Sequence, residues 1–159
     1  MNITIICLGK LKEKYLKDAI SEYSKRISAY GKLDIVELNP IRLSDNPSQT
    51  EIDNALQKEA EEIKGKIPNN SFTFALCIEG KAKSSEDFAK AISNAAIDGK
   101  SSIVFIIGSS FGLSPEIKAL ADNKLSFSPM TFPHQLIRVM LLEQIYRAFQ
   151  INNNGKYHK

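Results

Sequence analysis

Apolar residues in this chain follow two rhythms, short unbroken runs and longer stretches that repeat at steps of three and four. The run ITIICL (3 to 8) is short and rich in β-branched residues, which predicts a buried strand. Behind it Leu11, Tyr15, Ala19, Tyr23, Ile27 and Tyr30 share one face of a predicted amphipathic helix. LDIVEL (33 to 38) alternates as a half-buried strand does, and NPIRLSDNPSQT (39 to 50) is a polar loop punctuated by prolines. A second helix carries Ile52, Ala55, Leu56, Ala60 and Ile63, and Gly65 and Pro68 end it. FTFALCI (72 to 78) reads as a buried strand and EGKAK (79 to 83) as a loop. Ser84 and Asp87 then open a helix bearing Phe88, Ala89, Ile92 and Ala96. SIVFII (102 to 107) is a fourth strand. After a glycine-bracketed turn, Ser114 as N-cap and Pro115 at the first helical position open a short helix, PEIKALA. A fifth short strand, KLSF (124 to 127), leads through SPMT into a long helix starting at Pro133, with Thr131 as its N-cap. Buried strands alternating with helices place the chain in the α/β class, with a mostly parallel sheet flanked by helices.

The last helix departs from the amphipathic pattern. Leu136, Ile137, Val139, Met140, Leu141, Leu142, Ile145, Tyr146 and Phe149 leave almost no polar face, so both sides need cover. One side can face the sheet, and the other is expected to face a second subunit related by two-fold symmetry, which makes the protein a homodimer. The competing reading is that loop 39 to 50 and the C-terminal tail provide the cover. Glu143 and Arg147, four apart, can pair across one turn, and Arg138 lies on the opposite side.

With 159 residues, 43% hydrophobic and 25% charged, the chain fits a single domain, residues 1–159, whose core needs no staples. Cys7 and Cys77 sit inside apolar runs and read as small hydrophobes suited to a reducing compartment. MNITIICLGK has no basic leader, and its apolar run is too short for a signal peptide or a membrane span. A cytoplasmic protein without membrane contact is expected. The net charge of +3 is modest but unevenly spread. Lys10 to Lys32 holds seven Lys/Arg against three acids, and Pro133 to Lys159 holds four against one. Lys10, Lys14, Lys17, Lys25 and Arg26 form a basic patch on and before the first helix, whose plain reading is a solvated face, and the total charge is too small to announce a nucleic-acid binder.

Candidate chemistry begins at IVFIIGSSFGLS (103 to 114), where a buried strand runs into Gly108-x-x-x-Gly112. Open sheets bind ligands beyond the carboxyl ends of their strands, and this turn lies at such an end. A triphosphate loop would place Lys-Ser/Thr after the second glycine, but Leu113 and Ser114 stand there. The dinucleotide pattern G-x-G-x-x-G is absent too. The turn suits close approach of the backbone to a ligand, not neutralisation of charge.

The stretches EKYLKDAISEYSKRI, EGKAKSSEDFA, FIIGSSFGLSPEIK, LSFSPMTFPHQLIRVMLLEQIYRAFQI and the ending YHK together resemble the RlmH family of SPOUT-class methyltransferases, from one terminus to the other. The chain departs from the family pattern at Ser109, where a second glycine usually follows Gly108. The resemblance implies an α/β sheet whose C-terminal part forms a deep trefoil knot, a homodimer, and S-adenosylmethionine as cofactor. It implies methylation of N3 of a pseudouridine in a hairpin loop of the 23S large-subunit ribosomal RNA, on the nearly complete ribosome. Carried over by position, the cofactor contacts are Leu76, Gly108, Phe127, Ser128, Pro129, Met130, Thr131 and Phe132. Adenosine and a methionine tail carry no phosphate, which accounts for the missing lysine. Methyl transfer from a sulfonium asks the protein mainly for alignment and for removal of an imide proton, and no residue stands out as the base. Arg147, Tyr157 and His158 are the candidates for positioning the substrate, His158 from a polar tail able to close over it. For the RNA that the resemblance implies, Lys10, Lys14, Lys17, Lys25 and Arg26 are candidate contacts and Arg138 is a candidate phosphate or partner-subunit contact; His134 is a helix-start residue, and no metal is implied. A non-catalytic ribosome-assembly factor and a transfer-RNA methyltransferase of the same class are the alternative functions.

Overall fold

The computed structural model describes residues 1–159. Strands β1 (Asn2–Leu8), β2 (Lys32–Leu38), β3 (Ser71–Ala82), β4 (Ser102–Ile107) and β5 (Asn123–Ser126) form one parallel sheet in the order β2-β1-β4-β3-β5. Helices α1 (Lys14–Ile27), α2 (Gln49–Lys64), α3 (Ser85–Ile97), α4 (Pro115–Leu120) and α5 (His134–Asn152) connect and cover it.

The period of two along each strand divides the core. Ile3, Ile5, Cys7, Phe74, Ile103, Phe105 and Ile107 point to one face, where they meet α1, α3 and α5. Ile6, Leu8, Ala75, Val104 and Ile106 point to the other and meet α2 and α4. Because both faces are covered, β1 and β4 are apolar almost throughout, as buried parallel strands should be. β2 stands at the sheet edge and is half-buried. No helix is long and apolar enough to cross a membrane.

The helix termini follow local chemistry. Ser48 and Glu51 form a reciprocal capping box on α2, Ser84 accepts the amide of Asp87, and Ser114 accepts that of Ile117. α5 differs from the expectation. It begins at His134 with Pro133 in the cap position, and Thr131 makes no capping bond.

Two further expectations are corrected. The buried stripe of α1 is Leu16, Ile20 and Ile27, with Tyr23 beside it, whereas Tyr15 is 70% exposed. A phenol can stay at the surface with its hydroxyl in water, while Leu and Ile lose more by exposure. β3 continues through Glu79, Gly80 and Lys81, where the sequence suggests a loop. Pairing with β5 stops at Leu76 and resumes at Lys81, so residues 77 to 80 bulge away from the ladder. Gly80 passes so close to β5 that a Cβ there would lie 2.7 Å from the carbonyl carbon of Leu125.

Candidate functional site

β3, β4 and β5 are parallel, so the segments leaving them emerge on one side of the sheet. There they enclose a cavity of about 710 Å³. Leu76 and the bulge of β3 form one wall, the turn after β4 a second, and residues 125 to 137 between β5 and α5 a third. Leu76, Gly108, Phe127, Ser128, Met130, Thr131 and Phe132 all line it, and of the expected cofactor contacts Pro129 alone does not.

Gly108 and Gly112 shape the second wall. The amide of Gly112 donates to the carbonyl of Ser109 at 2.8 Å, and Gly112 takes a φ of 81°. A Cβ on Gly108 would fall 2.3 Å from the carbonyl oxygen of Gly112. On the third wall the Ser128 hydroxyl accepts the amide of Met130 at 3.0 Å, and Ser126 donates to the carbonyl of Ser128 at 3.1 Å. The amides of Ser110, Phe111, Thr131 and Phe132 have no main-chain acceptor within the chain. Free main-chain donors beside apolar side chains fit a neutral heteroaromatic ring, and the volume lies in the range of small-molecule sites.

Charge on the walls is largely self-neutralised. Lys118 pairs with Glu79 at the rim and holds its carboxyl below the usual range. Burial, with Arg138 and Lys12 nearby, pushes His134 down and favours its neutral ring. Cys77 also lines the cavity, half-buried, with its thiol raised by burial. No group of three or more His, Cys, Asp or Glu is placed to hold a metal ion.

A smaller cavity of about 460 Å³ adjoins the first, sharing Leu125, Ser126 and Phe127 with it, and reaches Tyr23, Ser84 and Glu143. Glu143 gathers the C-terminal residues singled out in the sequence. It accepts from Arg147 Nε at 3.0 Å and from the Tyr157 hydroxyl at 3.1 Å. Arg147 also lies over the Tyr157 ring and approaches His158 Nδ1 at 3.2 Å. Arg147 can only donate, so Nδ1 accepts and Nε2 carries the proton it shares with Glu86 at 2.8 Å. Burial first, then Tyr23 and Glu143, push Tyr157 up to about 12, which keeps it a phenol at neutral pH. Arg147, Tyr157 and His158 are thus brought together, though none of them lines either cavity. The tail is folded back onto Tyr146 and Glu86 instead of hanging free.

The basic candidates divide. Lys10, Lys14, Lys17, Lys25 and Arg26 are all exposed; Lys14 pairs with Asp18, and Arg26 pairs with Glu22 while stacking on Tyr23 and Tyr146. Arg138 is corrected. Its side chain is 1% exposed, with one arm on Glu37 at 2.8 Å and another on the carbonyl of Gly9 at 3.0 Å, so it ties α5 to β1 and β2 and cannot meet a phosphate. Sequence reasoning did not anticipate Glu37 as its partner, because nothing local links residues 101 apart. It also overlooked Lys118 and Glu79 at the rim and Glu59 behind the glycine turn.

The family described as Predicted SPOUT methyltransferase matches residues 1–158. A protein of Methanococcus maripaludis is 57% identical over 159 residues, covering all of both chains. The ribosomal RNA large subunit methyltransferases H of Clostridioides difficile and Clostridium novyi are 54% and 55% identical, again over the full length of both. Among solved structures, the SpoU methyltransferase AviRb of Streptomyces viridochromogenes, in complex with the cofactor AdoMet, is 14% identical with a TM-score of 0.47. That alignment covers 98% of this chain and 59% of AviRb. A full-length family match and relatives more than half identical establish that this chain belongs to the SPOUT methyltransferases, alongside the ribosomal RNA large subunit methyltransferases H.

Proposed function

We propose that the protein binds S-adenosylmethionine in the larger cavity and methylates N3 of a pseudouridine in 23S ribosomal RNA on the assembled ribosome. The observation that carries this reading is the convergence of residues from three separate segments, around Leu76, Gly108 and Phe127 to Phe132, on one cavity at the strand ends. The bound cofactor would supply an electrophilic methyl group. The chain's contribution is orientation: the main chain of the two turns reads the adenine edge, and Leu76, Met130 and Phe132 give the ring apolar contact.

Arg147, Tyr157 and His158 hold the target nucleotide. Both ring nitrogens of His158 are engaged, so substrate must replace the contact with Glu86 or with Arg147. Arg147 is fixed by Glu143, which leaves the guanidinium oriented in advance. Lys10, Lys14, Lys17, Lys25 and Arg26 track the phosphate backbone, and their modest number suits a protein that also needs shaped ribosomal surface. A homodimer completes the assembly through the open side of α5, where Leu136 is 39% exposed and Val139 and Met140 are half-buried.

The test is methyl transfer from labelled cofactor to ribosomes lacking the modification, followed by mapping of the labelled base. Label at N3 of one pseudouridine of 23S RNA is expected. Label only in transfer RNA, or none, overturns the assignment.

A further inference from the structure

Glu59 is the one acidic side chain in the core, 4% exposed on α2. Its two oxygens serve different segments. Oε2 accepts the amide of Ile41 at 3.1 Å, and Oε1 accepts the hydroxyl of Ser109 at 3.1 Å. Burial holds this carboxyl above the usual carboxylate range, and the two donors offset only part of that rise. α2 itself is anchored by Ala60 and Ile63 in the core and by Gln57 and Lys64 on Glu116 of α4, so the carboxylate sits at a fixed point.

We infer that Glu59 and Ser109 form a latch that fixes the glycine turn and ties it to loop 39 to 48, making both of them positioning residues for the methyl donor. This rests on the proposed cofactor site. A buried carboxylate deprived of a donor bears the full cost of desolvation, so neither contact is free to open. Ser109 holds the turn twice, through its hydroxyl on Glu59 and through its carbonyl, which accepts the amide of Gly112. Its neighbours Gly108 and Ser110 line the cavity, so a shift of Ser109 moves that wall. On the other side, no main-chain to main-chain hydrogen bond reaches residues 39 to 47, which leaves the contact between Glu59 and Ile41 to pin that loop. The hydroxyl of Ser109 therefore supplies the donor that the latch needs.

Amide hydrogen exchange and calorimetry on the full chain test this. Ser109→Ala should speed exchange at the Ile41 amide about tenfold and weaken S-adenosylmethionine binding about tenfold, the size of one hydrogen bond. Glu59→Ala should do at least as much, and the double variant should be no worse than the more severe single one. Glu59→Gln should stay within about twofold of the unsubstituted protein, because its carbonyl can accept from Ile41 and its amide can donate to the Ser109 hydroxyl. Unchanged exchange at Ile41 in Ser109→Ala, or Glu59→Gln behaving as Glu59→Ala does, overturns the latch. Failure of the unsubstituted protein to bind the donor overturns the cofactor site and the donor half of the inference, while exchange at Ile41 still decides the latch.

Discussion

At Gly108 the backbone leaves no space for a side chain, since an added Cβ would press on the carbonyl of Gly112 at 2.3 Å. Gly108→Ala should therefore distort the turn at about 1 to 3 kcal/mol and lower affinity for the methyl donor at least tenfold by calorimetry. Cys77 gives an independent probe of the same cavity, because it lines the wall while Cys7 is fully buried with its thiol pushed up to about 11. Alkylation at mildly alkaline pH should modify Cys77 first, and saturating S-adenosylmethionine should protect it; mass mapping reads both. Tyr157 makes a pH-dependent contribution. Its folded value of about 12 lies above the unfolded value of about 10, so the native state holds the proton more tightly and stability falls as pH rises through that window. Tyr157→Phe should flatten that part of the profile in urea titrations. At this scale the shape of one cavity wall was legible: the two glycines mark a turn in which the backbone packs too closely for a side chain at Gly108 and takes a positive φ at Gly112. The partners of Arg138 and Glu59 were not, because each pair is made by long-range packing that leaves no local spacing to read.

The elements were more readable than their edges. Strands with both faces covered announce themselves as unbroken apolar runs, and the strand bodies fell where the runs lie. The end of β3 did not, because a ladder needs only backbone groups and the polar stretch Glu79 to Lys81 carries no hydrophobic signal. Gly80 is the residue that permits the crossing with β5, and its role appears only when Leu125 is beside it. Gly80→Ala should cost about 1 to 3 kcal/mol in chemical denaturation, while an alanine at Gly65, where a Cβ finds nothing nearer than 3.5 Å, should cost far less. For α1 and its entry, replacing Lys10, Lys17 and Lys25 with Gln should weaken ribosome binding and reduce its salt slope by about one for each phosphate no longer neutralised. Arg138→Gln should leave that slope unchanged and lower thermal stability, since Glu37 and the carbonyl of Gly9 would be left without their partner.

For the whole molecule, the order β2-β1-β4-β3-β5 brings the ends of β3, β4 and β5 together, so chain segments distant in sequence build one cavity. Periodicity predicts a parallel sheet but not its strand order, and it is blind to how a chain threads. Seven of the cavity's lining residues were expected from the family resemblance and not from the rhythm of apolar residues, and the trefoil knot is an expectation of the same origin. α5 packs against α1 and α3, and its remaining face makes a symmetric partner the expected cover. Sedimentation should show a dimer, and Met140→Glu should shift it toward monomer. Everything proposed for this protein turns on what the larger cavity holds, and a crystal structure with S-adenosylmethionine bound would decide that. The adenosine is expected between residues 108 to 112 and 127 to 132, with main-chain groups meeting the edge of the base. Cofactor bound elsewhere, or a cavity closed by the chain's own side chains, would contradict it.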